Sequence, residues 1–302
     1  MVSSILNLGA VLVLAPLLLG VINRTKALVA GRRGPPLLQI YFDLAKLLRK
    51  GFVLSETTTW VFLAGPVVSV AAPFVALLLL PLAGRPAVLS FTGDMLLFVG
   101  VFALARFFVA AAAMDTGSPF EGMGAARDVT FSALAEPALL FGMLALTRAS
   151  GALSLTGMLD LGSSGAWRKA SASLVLILAS WFIVLLAENA RVPFDDPTTH
   201  LELTMIHEVM VLDHAGPAFG FIVYGAALKL AVFTTLLVTL LVPARSGSPA
   251  LDFAAFAAGL VGVSVVVGLV ESSMARLRLV RVPQLLVTAT LLAGFAVVLV
   301  LR

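Results

Sequence analysis

Residues 171–216 read SASLVLILASWFIVLLAENARVPFDDPTTHLELTMIHEVMVLDHAG. The first part, to Asn189, is an apolar run of the length a helix needs to cross a bilayer, about 18–25 residues at ~1.5 Å each. The remainder turns polar at once. Residues 188–216 hold six of the chain's sixteen acids (Glu188, Asp195, Asp196, Glu202, Glu208 and Asp213) and all three histidines (His200, His207 and His214). A span followed by a polar loop is the alternation that organises the chain.

Of the 302 residues 60% are hydrophobic and 12% charged, and the mean hydropathy is +1.08. Soluble domains sit near about 45–50% apolar and 25% charged. The chain therefore reads as an all-α integral membrane protein, residues 1–302 forming one polytopic membrane domain. Apolar runs place about eight transmembrane helices near 4–22, 60–83, 91–113, 129–147, 171–189, 218–242, 252–271 and 283–301. The run from Ser4 to Ile22 lacks a basic leader and a small-residue cleavage site, so it is expected to be a retained helix rather than a signal peptide. With no cysteine, the chain can form no disulfide, thiolate metal site or iron–sulfur cluster of its own. Nothing interleaves Lys or Arg with aromatics in the manner of a nucleic-acid surface.

Basic residues orient the spans. Twelve lie in loops 1, 3, 5 and 7: Arg24, Lys26, Arg32, Arg33, Lys46, Arg49, Lys50, Arg127, Arg191, Arg276, Arg278 and Arg281. Six lie on the other side: Arg85, Arg148, Arg168, Lys169, Arg245 and Arg302. Loops 1, 3, 5 and 7 are thus expected on the cytoplasmic side, with both termini on the opposite one. No internal repeat is visible, which weakens an inverted-repeat transporter reading.

The loops carry unusual chemistry. In GRRGPPLLQIYFDLAKLLRKG the Gly-Pro-Pro break precedes an amphipathic helix at about 37–50, with Leu37, Ile40, Tyr41, Leu44, Leu47 and Leu48 on one face. It is too short to span and is read as lying at the interface, either as a surface anchor or as the wall of a lateral cavity. Loop 3, MDTGSPFEGMGAARD, opens with a turn cluster from Asp115 to Pro119. Asp115, Glu121, Arg127 and Asp128 are placed to pair at the surface or to stay solvated. In loop 5, Pro193 and Pro197 break the helix, and Asp196 or Thr198 is placed to cap a new one running through His214. His200, His207 and His214 would then share nearly one face, but about 10 Å separates successive members, too far for one metal ion. In loop 7, ESSMARLRLVRVP, three arginines crowd a span end, as snorkelling cations or as a dock for an acidic partner.

Five ionisable residues stand inside or at the ends of spans: Arg106, Glu136, Glu188, Lys229 and Glu271. Each costs about 2.5–3.5 kcal/mol at the bilayer centre on insertion scales. They are expected to pair with one another or to line a wet cavity, the usual signature of an ion or proton path.

Together RRGPPLLQIYFDLAKLL, ARFFVAAAAMDTGSPFEGMGAARD with AEPALL, ENARVPFDDP with LEL, and ESSMARLRL carry a resemblance. Over nearly its whole length the chain resembles the subunit 1/H family, a membrane component of respiratory complex I. Within that family it is most similar to the branch found in group 4 energy-converting NiFe-hydrogenases, the formate hydrogenlyase-like complexes. Quinone-reducing members carry PFDLPEAEAEL and EYSG in loop 5. Here Thr198 and His200 stand where the first two of those glutamates would be, Glu202 matches the third, and LDHAG replaces EYSG. Loop 1 has GRRGPP in place of a longer Gly-Pro-Asn form, and loop 7 has ARLRLVRVP in place of PRxRYDQL.

The resemblance implies a membrane-embedded coupling and anchoring subunit in a bacterial or archaeal cytoplasmic membrane. It would bear no redox centre and no metal of its own, and would dock hydrogenase-like large and small subunits that carry 4Fe–4S clusters and a NiFe centre. Antiporter-like membrane subunits would adjoin it. Glu136, Glu188, Glu202, Glu208, His200 and Lys229, supported by Asp115 and Asp128, are the expected proton or ion path. Arg32, Arg33, Arg127, Arg191, Asp195, Asp196, Arg276 and Arg278 are the expected docking residues. The alternative is a subunit that forms the quinone site of a complex I-type NADH:quinone oxidoreductase.

Overall fold

Each apolar run forms a helix, since in hydrocarbon every backbone N–H and C=O must find its partner within the segment. The computed structural model describes residues 2–160, 167, 170–195, 205–242 and 247–301. Among these, eight helices are long and apolar enough to cross a membrane. They are α1 (Val2–Val29), α3 (Trp60–Leu79), α4 (Asp94–Asp115), α5 (Pro119–Ser150), α7 (Ser171–Glu188), α8 (Gly216–Leu241), α9 (Pro249–Ser273) and α10 (Val282–Val300). Two short helices, α2 (Gln39–Leu48) and α6 (Leu155–Leu159), also lie among the described residues, with 3₁₀ turns at Glu208–Val211 and Leu279–Arg281.

Two spans outrun their apolar runs. α1 continues past Ile22 to Val29, and α5 begins at Pro119 rather than near residue 129. Hydropathy stops at the first charge, but the backbone does not. Pro119 suits the first turn of a helix, where its missing N–H costs nothing. At the far end Gly151 closes α5 in the left-handed conformation, φ 73°.

α8 is the most buried span and packs against α1, α2, α3, α7 and α9. α7 lies between α5, α8 and α10, and α1 closes against α9. The amphipathic helix of loop 1 is α2, laid across α1 and α8. At Gly20 a Cβ would collide with the Leu37 carbonyl, so only glycine lets the start of α2 approach α1 this closely.

Loops 1, 3, 5 and 7 meet at one end of the bundle. Thr59 bonds Asp115 (N···O 2.6 Å), Arg127 donates to the Met205 carbonyl (3.0 Å), and the Leu277 amide donates to the Pro193 carbonyl (2.9 Å). At the other end the Gly93 amide bonds the Leu153 carbonyl (3.1 Å) and Asn7 bonds the Leu82 carbonyl (3.2 Å).

One expectation is corrected. The helix expected from about residue 198 through His214 is not formed over its described part, which holds only the 3₁₀ turn at Glu208–Val211. The Ile206 and His207 amides donate instead to the Asp195 carboxylate, at 3.1 and 3.0 Å. A side-chain acceptor of this kind competes with helical carbonyls. His207 and His214 accordingly do not share a helical face. Asp196, Thr198, His200 and Glu202 lie outside the described residues.

Candidate functional site

Four helices bring four of the intramembrane charges together. Arg106 of α4 pairs with Glu136 of α5 and, at 2.7 Å, with Glu188 at the end of α7. Lys229 of α8 reaches the other oxygen of Glu188 at 2.8 Å. Two carboxylates and two cations make the cluster neutral. That balance is what a low-dielectric site demands, because one uncompensated charge there costs several kcal/mol. The Glu188 side chain is 5% exposed and that of Glu136 32%, so Glu188 is the enclosed centre and Glu136 the open end.

A cavity of about 80 Å³ adjoins the cluster, lined by Ser69, Arg106, Asp128, Glu188, His207 and Lys229 among others. Pro73 in α3 removes the amide that would bond the Ser69 carbonyl. That carbonyl faces Gly225 of α8, where a Cβ would lie 2.5 Å from its oxygen. Glycine there lets α8 seat against the break and leaves a polar atom in the wall.

A second cavity of about 300 Å³ lies toward loop 5. It shares Asn189, Ala190, His207, Ile222 and Ala226 with the first, so the two are contiguous through common walls. Its polar lining is Asn23, Arg191, Asp195 and Glu208, and its apolar lining includes Leu19, Ile40 and Phe219. The expected path residues Glu188, Lys229, Asp128 and Glu208 therefore line two neighbouring cavities, and Glu136 is joined to Glu188 through Arg106. Asp115 lines neither. It accepts from the amide and hydroxyl of Thr59, the residue that caps the start of α3. Its acceptor role was legible only as part of a turn.

Of the expected docking residues, Arg32, Arg33 and Arg278 are exposed. Of the others, Arg127, Arg191, Asp195 and Arg276 turn inward, and Asp196 lies outside the described residues. Asp195 is 1% exposed and pairs with Arg276 at 2.9 Å. Arg191 faces Glu271 at 3.5 Å, and Arg127 holds the Met205 carbonyl at 3.0 Å. These residues fasten loops 3, 5 and 7 to one another. Glu271 is the second buried charge centre: it also takes Lys26 of α1 at 2.9 Å and has no side-chain exposure. Glu121, expected at the surface, is buried and accepts from Thr116 and from the Asp213 amide (3.2 Å). His214 is buried and stacks on Phe62 with ring centroids 4.0 Å apart. Burial pushes its pKa down to about 4.

The sequence understates Arg106, which stands in it only as a lone charge within a span and is the hub of the cluster. It gives no sign at all that Asp195 holds loop 5. The pattern of the family described as NADH dehydrogenase matches residues 2–302. The chain belongs to that family. Among its relatives is formate hydrogenlyase subunit 4 of Escherichia coli, 32% identical over 278 residues (90% of this chain, 89% of the relative). Hydrogenase-4 component C of the same organism is 30% identical over 232 residues (77% and 72%). A subunit of the NADH-quinone oxidoreductase of Rubrobacter xylanophilus is 25% identical over 243 residues (78% and 71%). Among solved structures, a chain of the membrane-bound sulfane sulfur reductase, an archaeal respiratory membrane complex, has the same fold (TM-score 0.85, 21% identity, 99% and 98% covered). As a member of the NADH dehydrogenase family, the chain is a complex I-like membrane subunit. Its relatives are subunits of hydrogenase and respiratory complexes.

Proposed function

We propose that this chain is the membrane-embedded coupling and anchoring subunit of a multisubunit energy-converting, formate hydrogenlyase-like complex. Hydrogenase-type large and small subunits, carrying the NiFe centre and 4Fe–4S clusters, dock on loops 1, 3, 5 and 7 at the cytoplasmic face. Antiporter-like membrane subunits adjoin the bundle. The chain itself performs no redox step.

The observation that carries this reading is the neutral Arg106–Glu136–Glu188–Lys229 cluster, opening through two contiguous cavities toward loop 5. Glu188 shares two cations, so a change of charge near loop 5 alters which of them it favours. Arg106 passes that change to Glu136, the more exposed carboxylate. The cavity walls are mostly apolar, but the ionisable side chains among them supply the polar partners that water needs to carry a proton between the groups. Asp128, His207 and Glu208 line the way, and Glu202 and His200 are assigned to it from their places in loop 5.

The test is Glu136→Gln in the assembled complex, with Glu202→Gln beside it. Both are expected to leave electron transfer and assembly near normal while ion movement per turnover falls several-fold. Retained coupling in both variants would remove the path. A second reading is favoured by the 300 Å³ cavity, whose apolar lining with a few polar groups suits a quinone-sized ligand. A purified complex that reduces quinone and evolves no hydrogen would establish it instead.

A further inference from the structure

α2 packs on the bundle with one face and carries a second apolar face turned away from it. On the packed side Ile40 lines the larger cavity, the Tyr41 hydroxyl donates to the Val13 carbonyl of α1, and Leu47 lies against Gly220 of α8. The opposite side carries Leu38, Phe42, Ala45 and Arg49, spaced by four, three and four residues, with Lys46 beside that line. All five are exposed, Leu38 by 52% and Phe42 by 62%. A helix lying between a bundle and water would be polar on that side. Here the stripe is apolar over its first half and basic over its last turn.

The two halves of the stripe lie at different depths. The helix starts against α1, where the Leu37 carbonyl occupies the place a Cβ on Gly20 would take. Gly20 and Val13 both belong to the apolar run of α1, which reaches Ile22 before the first charge at Arg24. The helix ends against the start of α8, where the Gly51 carbonyl faces Gly216. Leu38 and Phe42 are therefore at the depth of hydrocarbon, while Lys46 and Arg49 stand at the end of the bundle where loops 1, 3, 5 and 7 meet. Long basic side chains at that level reach outward to the headgroups. Among the described residues neither side chain has an ion pair or a hydrogen bond, and the nearby Asp43 is taken by Gln39 at 2.9 Å.

A face that is apolar below and cationic above fits a molecule divided in the same way, with acyl chains below and a negative phosphate above. The acidic surface of a hydrophilic protein would meet the basic half alone, since the apolar half lies beneath the level at which such a protein sits. We propose that the outer face of α2 is a binding site for an anionic phospholipid, its acyl chains along Leu38 and Phe42 and its headgroup on Lys46 and Arg49. Amphipathic helices hold anionic membranes by this combination of apolar burial and charge. The bound lipid backs the helix whose other side carries Ile40 into the wall of the 300 Å³ cavity.

The test places the full chain, with the subunits that purify with it, in phosphatidylcholine vesicles. These hold a trace of photoactivatable phosphatidylglycerol or, in a parallel sample, of phosphatidylcholine bearing the same photoactivatable acyl chain. Mass spectrometry reads the label on α2 against that on the exposed Leu291 and Phe295 of α10, which have no basic neighbour in sequence. The phosphatidylglycerol probe is expected to exceed the phosphatidylcholine probe several-fold on α2 and to equal it on α10. Lys46→Gln with Arg49→Gln should abolish the excess. Arg32→Gln with Arg33→Gln, which removes as much exposed charge from the same loop, should leave it. Equal labelling of α2 by both probes, or an equal loss in the two double variants, overturns the site, the second outcome meaning general attraction only. Absence of label on α2 from either probe overturns it too, because a protein then covers the face. If the Lys46/Arg49 variant fails to accumulate, unlabelled phosphatidylglycerol replacing part of the phosphatidylcholine decides with the unaltered chain. It should lower the phosphatidylglycerol label on α2 and spare α10; an unchanged label on α2 counts against the proposal.

Discussion

At the scale of single residues, Glu188 has the heaviest task in the bundle, since it compensates Arg106 and Lys229 together. Glu188→Gln would leave the cluster with a net positive charge beside apolar walls. Removing one partner of a buried pair typically costs about 3–5 kcal/mol, because the other charge stays buried. The variant should therefore accumulate poorly in membranes. Adding Lys229→Met restores neutrality, and quantitative immunoblotting should find the double variant more abundant than Glu188→Gln alone. If the double variant is the less abundant, charge balance does not govern the site. His214 gives a separate, pH-dependent prediction. Its pKa of about 4 lies below its ordinary 6.5, so the unfolded chain binds the proton more readily than the folded one. Stability from this residue is fully present above about 6.5 and is lost as pH falls toward 4. Thermal midpoints in detergent should drop over that window. His214→Phe, which keeps the stack on Phe62, should flatten the decline.

At the scale of elements, the described part of loop 5 is shaped by one carboxylate. Asp195 accepts the Ile206 and His207 amides and pairs with Arg276, while the Leu277 amide holds the Pro193 carbonyl. Asp195→Ala removes the acceptors and the charge; Asp195→Asn keeps an acceptor and loses the charge. Cleavage by a glutamate-specific protease at Glu202 or Glu208 should rise several-fold in the first and less in the second. Equal cleavage in all three proteins would count against the clamp. The same element shows why hydropathy reads spans better than loops. The apolar runs at 60–83 and 171–189 are helices because lipid leaves the backbone no other choice. In loop 5 the backbone has alternatives, and Asp195 supplies one that alternating polarity does not announce. For the same reason Arg127, Arg191 and Arg276 look like a docking surface in the sequence, yet they turn inward once loops 3, 5 and 7 are folded together.

At the scale of the whole molecule, the cluster draws on residues 106, 136, 188 and 229, one from each of four spans. That such charges must find partners in lipid is legible from composition alone. Which ones meet depends on α4, α5, α7 and α8 being neighbours, and no local pattern encodes that. The fold also gathers loops 1, 3, 5 and 7 at one end, while the excess of Lys and Arg in those loops predicts that this end faces the cytoplasm. Single cysteines test the orientation. Arg33→Cys and Arg278→Cys, both at exposed positions of that end, should resist a membrane-impermeant maleimide in intact cells and react in inverted vesicles. Thr92→Cys, exposed at the opposite end, should behave in the reverse way. The opposite pattern would invert the topology and place the ion cluster's open route on the wrong side for a cytoplasmic redox arm. Docking adds a second expectation. If hydrophilic subunits sit on these loops, the inverted-vesicle reaction at positions 33 and 278 should be slow in assembled membranes and quicken when those subunits are stripped. Position 92 should be indifferent to stripping, which separates loss of a covering partner from general loosening of the membrane.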